Sequence, residues 1–313
     1  MPSKDFIVGV DVGGTNVKLG LVGRDGAISA RSRLSTESYV SDPKKLISAL
    51  ADAIKRLVEG QGLSHEDVRA VGMGLPGQID PERGAVVLLP NIPGWKNIPL
   101  CKYLKPKLNV PVFLDNDVNL VTLGEWKHGA GRGAEHMLGI TLGTGVGGAM
   151  ILDGRLYRGA AFAAGEIGHL PINLSGPKCT CGSYACMEAY VGNQRLLKKA
   201  RRIFRKKSIT LEEIGQRAKK GEQKALVFWN EAGEQIGAGL VGVVNLLSPQ
   251  KIVIGGGVSN NHRFIFPAIR RQLKNRAMPL QAKMTRVVRA SLGDDAGIIG
   301  ARVLAEDFLN QLA

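Results

Sequence analysis

Apolar positions along the first part of the chain switch between strand and helix spacing. Residues 6–12 (FIVGVDV) and 17–22 (VKLGLV) are β-rich runs joined by a glycine turn. Arg24-Asp25-Gly26 marks a second turn, and a third strand around 27–34 completes a meander. Over 43–60 the apolar residues Leu46, Ile47, Leu50, Ile54, Leu57 and Val58 recur at helical spacing. Val68–Leu75 reads as a buried strand running into the loop Pro76–Asp80, and Leu89–Trp95 as a proline-rich loop. Val112–Leu114 is a short strand that stops at Asp115-Asn116-Asp117, and a helix follows over about 118–127.

The opening pattern then recurs. Met137–Val146 (MLGITLGTGV) aligns with Ile7–Asn16 (IVGVDVGGTN), and a second strand follows in each, Gly148–Leu152 in the later copy. Polar residues in the turns, Asp11, Thr15, Asn16 and Thr144, set them apart from plain tight hairpins. From Glu188 to Leu247 the pattern is mostly helical. Lys251–Ile254 is a buried strand followed by Gly255-Gly256-Gly257, 263–275 is helical, and Val287–Ala290 is a last short strand. Asp294-Asp295 is expected to cap a final helix from about 296 to 311.

At 313 residues the chain has room for two domains with real cores. A hydrophobic content of 44% and a charged content of 22% are those of a soluble globular protein. No basic-then-apolar leader opens the sequence and no apolar run is long enough to cross a bilayer, so the expected location is cytoplasmic with no membrane partner. The net charge of +15 raises the question of nucleic acid. The basic residues read as scattered, the densest run (Lys198–Lys207) reads as one solvated helix face, and aromatics are only 5%. No nucleic-acid partner is expected; an attraction for phosphorylated ligands is the milder implication.

The strongest chemical signal lies between Glu166 and Glu188, where His169, Cys179, Cys181 and Cys186 are spaced His-x9-Cys-x-Cys-x4-Cys. One imidazole and three thiolates form the closed shell of a structural zinc. Glu166 and Glu188 flank it, which suggests a rigid polar pocket for a ligand rich in hydroxyls. Asp11-Val12-Gly13-Gly14-Thr15-Asn16-Val17-Lys18 is a glycine turn between strands, not a P-loop. Backbone N–H groups of Gly13, Gly14 and Thr15 can receive phosphate oxygens. Leu142–Gly148 offers a second such turn; the pair would clamp a triphosphate, with Asp11 holding magnesium through water. Gly255–Gly257 would pack against an adenine. Asp117 reads as a group that accepts a proton from an attacking hydroxyl, or as a helix cap.

Together, DVGGTN (11–16), GLPG (74–77), LPN (89–91), NDVN (116–119), TLGTGVGG (141–148), GEIGH (165–169), CTCGSYACME (179–188) and IGGGVS (254–259) resemble the ROK family of sugar kinases, in order and over essentially the whole chain. The resemblance implies an α/β fold of the actin/hexokinase/Hsp70 (ribonuclease H-like) type with a cleft between two domains. These would be a small domain, 1–118 completed by the helix 296–313, and a larger zinc-bearing domain, 119–295. It implies phosphorylation of glucose at its 6-hydroxyl by ATP, with Mg2+ and a structural Zn2+. Other hexoses or N-acetylhexosamines, or polyphosphate as donor, are the alternatives. Asp117 would be the base. Gly74, Pro76, Asn91, Asn116, Asp117, Glu166, His169 and Glu188 would bind the sugar. Asp11, Gly13, Gly14, Thr15, Asn16, Lys18, Thr141, Gly143, Thr144, Gly145, Gly255, Gly256 and Gly257 would bind the nucleotide. His169 would serve zinc and sugar with one ring nitrogen each. Homodimers or homotetramers are implied. Two departures stand out: Ala185 replaces the usual glycine before Cys186, and Asp115 stands where glutamate is common. Only five residues precede the first strand, so the DNA-reading module of some members is not expected.

Overall fold

The structure, a computed structural model, describes residues 5–36, 39, 42–89 and 94–312; Asn91 and most of its proline-rich loop lie outside them. In chain order the elements begin with β1 (Phe6–Val12), β2 (Asn16–Val22), β3 (Ile28–Ser35), α1 (Pro43–Glu59) and β4 (Val68–Leu75). Three short strands follow, β5 (Gln78–Asp80), β6 (Ala85–Leu88) and β7 (Lys96–Ile98), then α2 (Leu100–Leu108), β8 (Val112–Asn116) and α3 (Asp117–His128). Next come β9 (Met137–Leu142), β10 (Val146–Leu152) and β11 (Arg155–Tyr157), then α4 (Glu188–Val191), α5 (Asn193–Phe204), α6 (Leu211–Lys219) and α7 (Gln223–Leu247). The chain ends with β12 (Lys251–Gly255), α8 (His262–Arg276), α9 (Pro279–Met284), β13 (Arg286–Arg289) and α10 (Ala296–Leu312).

The repeat seen in the sequence is a repeat of topology. One sheet runs β3-β2-β1-β4-β8 and another β11-β10-β9-β12-β13. In each, a glycine-turned antiparallel hairpin (β1–β2, β9–β10) is extended by two parallel strands. The small sheet β5-β6-β7 goes beyond the sequence expectation: β5 lies within the stretch read as the loop Pro76–Asp80, and β6 and β7 fall in segments given no element. Two of its strands have only three residues, too few for alternation to register.

The chain divides into two compact lobes, Met1–Gly133 with Leu156–Ala164 and Leu292–Ala313, and Ala134–Arg155 with Gly165–Ser291. In the first lobe, β1 shows the period-two rule of a sheet covered on both faces. Val8, Val10 and Val12 join the core under α1 and α2, while Ile7 packs with Ala70 and Ala305 on the opposite face. Helix α1 starts where Asp42 accepts from the N–H groups of Lys44 and Lys45, with Pro43 in the first turn, and buries Leu46, Ile47, Leu50, Ile54, Leu57 and Val58. Helix α10 covers the other face so closely that a side chain on Gly72 of β4 would run into the Ala301 carbonyl. It also meets α3 backbone to backbone, at Gly300 against the Leu120 carbonyl. In the second lobe, α7 buries Phe228, Trp229, Ile236 and Leu240 in a core shared with α8 and with Ile252 and Ile254 of β12.

Candidate functional site

Three parallel strands end side by side in the first lobe, and their carboxyl ends carry Asp11, Gly74, Asn116 and, just beyond, Asp117. Asp11 pairs with Gly74 and Gly74 with Asp115 across β1, β4 and β8; Leu75 pairs with Asn116. Carboxyl ends of parallel strands are where open α/β sheets hold ligands. Asn116 caps α3, its Oδ1 accepting from the N–H groups of Val118 (2.8 Å) and Asn119 (3.3 Å), and its Nδ2 donates to the Gly77 carbonyl at 3.1 Å. The capping role open to Asp117 thus belongs to its neighbour, and Asn116 has both ends of its amide engaged. Gly74 is a packing requirement: a Cβ there would lie 2.8 Å from Leu120 Cδ2 and 3.3 Å from the Asp117 Cα.

Asp117 is the first helical residue of α3, and its Oδ1 accepts from the Val118 N–H at 2.9 Å. Burial, and after it the negative charge of Asp11, push its carboxyl up to about 6. Hydrogen bonds to the carboxylate pull the other way without cancelling burial. Asp11 is itself raised, chiefly by burial, with Lys18 opposing and Asp294 adding to the shift. Lys18, opposite Asp11 on β2, places Nζ 3.3 Å from Asp294 Oδ1. Asp294 and Asp295, expected as helix caps, give their carboxylates to Lys18 and to Arg31, the latter at 2.9 Å.

Two side chains to which the sequence reading gave no role shape this region. Thr36, fully buried, donates its hydroxyl to the Gly14 carbonyl at 2.9 Å and its N–H to the Thr15 carbonyl at 3.0 Å. The turn's carbonyls are thereby turned inward, while Gly14, Thr15 and Asn16 stay exposed. Asp115, 2% exposed, accepts from Arg158 Nε at 2.7 Å and Asn119 Nδ2 at 2.6 Å. This pair, with its carboxylate buried and its guanidinium partly exposed, fixes the strand end that carries Asn116 and Asp117. Pro76, half-buried, follows at the end of β4.

In the second lobe the remaining glycines converge. The Gly143 N–H reaches the Gly145 carbonyl at 2.9 Å, and the Asn193 N–H holds the Gly143 carbonyl at 3.0 Å. Thr141 pairs with Gly255 across β9 and β12. Gly256, at φ 82, lies against the backbone of Leu142, so the turn 143–145 and Gly255–Gly257 form one surface beside exposed Thr144. Glu188, at the start of α4, accepts from the Val146 N–H at 3.0 Å and from the Thr180 hydroxyl at 3.3 Å.

The ligand atoms of His169, Cys179, Cys181 and Cys186 all lie within 4.8 Å of one another. Cys181 Sγ is 3.7 Å from Cys186 Sγ, and Cys179 Sγ is 3.7 Å from His169 Nδ1. Bonds of about 2.3 Å to sulfur set the edge of a tetrahedral zinc shell at about 3.8 Å. Two edges match that length, and the donor set of one imidazole and three thiols suits that metal. Burial and the neighbouring sulfurs push the Cys186 thiol up to about 12, a penalty that a bound cation removes. The other ring nitrogen, His169 Nε2, stands 3.7 Å from Glu166 Oε2.

Comparison with known proteins places this architecture. The family model described as ROK family matches residues 7–308. The chain belongs to the ROK family. It is 32% identical to the glucokinase of Thermotoga maritima over 96% of this chain and 97% of that one. A ROK family glucokinase from Streptomyces griseus, solved in complex with glucose and AMPPNP, superposes with a TM-score of 0.81 at 30% identity, covering 96% and 99% of the two chains. A xylose repressor of Caldicellulosiruptor bescii is 30% identical over 83% of this chain and 68% of its own length. The fold of this ROK protein is the two-domain α/β fold of the actin/hexokinase type. Among the described residues no helix is long and apolar enough to cross a membrane.

Proposed function

We propose that this ROK protein is an ATP-dependent glucokinase that moves the γ-phosphoryl group of ATP to the 6-hydroxyl of glucose. The observation that carries the reading is Asp117, a carboxyl held at about 6 at the N-terminus of α3 beside Asp11. A base near operating pH is ionised and still basic enough to take a hydroxyl proton. A kinase needs such a base, whereas a sugar sensor without chemistry does not.

Asp11 would hold Mg2+ through water, and the N–H groups of Gly13, Gly14 and Thr15, with Asn16 and Lys18, would receive phosphate oxygens. Thr141, Gly143, Thr144 and Gly145 would take the rest of the triphosphate, and Gly255–Gly257 the nucleoside. In phosphoryl transfer such positioning supplies most of the rate. We assign the sugar's hydroxyls to Asn91, Asn116, Glu166, His169 and Glu188, beside Gly74 and Pro76. Zinc at His169, Cys179, Cys181 and Cys186 would hold the His169 ring in one orientation. An ATP-consuming reaction of this kind belongs in the cytoplasm, and a homodimer or homotetramer is the assembly we assign.

The test is ADP release with ATP and Mg2+ across hexoses and N-acetylhexosamines, with polyphosphate as a second donor. A kcat/KM highest for glucose with ATP supports the proposal. A higher value for an N-acetylated sugar, or for polyphosphate, replaces the substrate; sugar binding with no turnover on any pair rejects the enzyme.

A further inference from the structure

The basic residues are spread along the chain, but most of the net positive charge falls in one segment that lacks acids. From Gln235 to Gly293 the sequence contains nine lysines and arginines and neither aspartate nor glutamate. This segment builds α8, α9 and the edge strand β13. Arg270 and Lys274, one turn apart on α8, Lys283 on α9 and Arg286 at the start of β13 line a single cavity of about 770 Å3. Pro279 and Val287 supply apolar wall, and among the described residues no carboxylate borders it. All four cations are exposed. Arg270 is held in place, donating to the Val287 carbonyl at 2.9 Å with its guanidinium 5.7 Å from the Phe266 ring centre. The basic run on and just after α5 is different: Lys199 pairs with Glu231 at 2.5 Å and Lys206, beyond the helix end, with Glu213 at 2.8 Å. There the charge is partly neutralised; around the cavity it is not.

Four cations gathered without counter-charge repel one another and focus a positive potential into the concavity between them. An anion with several charged groups relieves that repulsion, and one phosphate would leave part of it standing. The volume falls within the roughly 300–1,000 Å3 of small-molecule sites. No aromatic side chain lines the cavity, so it offers no platform for stacked bases. Its position is separate from the glycine turns. Arg286 pairs with Lys251 at the amino end of β12, while Gly255 closes the other end of that strand, about 13 Å away at 3.3 Å per residue.

We propose that this cavity binds a polyphosphorylated small molecule, of the size of a di- or triphosphate, as a site distinct from the nucleotide-binding turns. The test uses inorganic tripolyphosphate and the full-length chain. Lysines are acetylated with a water-soluble reagent with and without tripolyphosphate, and modification is read residue by residue by mass spectrometry. Titration calorimetry gives the affinity of the wild type and of Lys274→Glu/Lys283→Glu, both surface positions. Protection of Lys274 and Lys283, but not of Lys102 and Lys105 on α2, is expected. Affinity should fall about tenfold per reversed charge, and for the wild type should weaken as salt shortens the screening length. The footprint is read at the cavity, so the outcome is independent of whether the turns bind ATP. Unprotected lysines, or unchanged affinity in the folded variant, would overturn the site. Equal affinity for orthophosphate would reduce it to a single-anion site, and tighter binding of a single-stranded RNA would make it a polynucleotide surface; either defeats the proposal.

Discussion

Glu188 Oε2 accepts a hydrogen bond from the Val146 N–H at 3.0 Å, so one carboxylate ties the glycine turn after β9 to the cysteine-bearing loop. Its Oε1 stands 3.9 Å from Cys179 Sγ, one of the four atoms of the metal shell. Order in the cysteine loop is thereby passed to the turn that would hold phosphate.

Metal removal tests that link. Purified protein should contain about one zinc per chain, and Cys181→Ser or prolonged chelation should lower both zinc content and melting temperature. Faster hydrogen exchange at the Val146 amide should accompany the loss. Unchanged exchange at that amide in zinc-free protein would break the coupling while leaving the metal site intact.

Asp117→Asn should lower kcat by about 10²- to 10⁴-fold with ATP affinity within about twofold of wild type. Activity near wild type would remove Asp117 from the chemistry.

The same substitution should stabilise the fold. A carboxyl raised to about 6 holds its proton in the native state at pH values where the unfolded chain, near 3.8, has lost it. Stability therefore falls as pH rises through this window, and above 6 the ionised form costs on the order of 2–3 kcal/mol. Asp117→Asn should match wild type at low pH and exceed it increasingly up to pH 6, by urea denaturation. For wild type, kcat/KM should rise through about 6, where the base ionises.

Arg158→Leu leaves Asp115 buried without its cation, and Arg158→Lys keeps a charge but loses the planar donor. Leucine should destabilise by about 3–5 kcal/mol, with lysine intermediate. A kcat loss exceeding the KM change would mark Arg158 as a residue that positions Asp117.

Ala185 sits at φ 55, the left-handed region, where its methyl crowds the backbone. Ala185→Gly removes about 1–2 kcal/mol of strain and returns part of it as unfolded-chain entropy. A net gain of about 0.5–1 kcal/mol in thermal or urea unfolding is expected, and a loss would mean that packing of the buried methyl dominates.

What could be read from the sequence was local. The hairpins at 11–16 and 141–148 announce themselves through glycine flanked by alternating apolar residues, and the cluster of His169 with three cysteines through its spacing. The pairing of Asp115 with Arg158 spans 43 residues, and neither residue type signals the other. Thr36 looks like any strand-end threonine until the turn at Gly14 folds onto it. Helix α2, with Pro106 in its last turn, carries too weak a period to notice. Asp294 and Asp295 resembled caps because a helix follows them; Lys18 and Arg31, which claim them, are distant in sequence.

The covering of the first sheet by α10 has a consequence for how the protein is made. That sheet is begun by the first strand and closed on one face by the last helix, with α3 and its Asp117 packed against the same helix. A ribosome-bound chain that has not yet made α10 leaves Ile7 and Ala70 uncovered and α3 without support. The second lobe can complete its own core earlier, from Ala134 to Ser291. α10 must therefore be made before the lobe that carries Asp117 can complete its fold, and a chain cut off ahead of that helix leaves α3 and Asp117 unsupported.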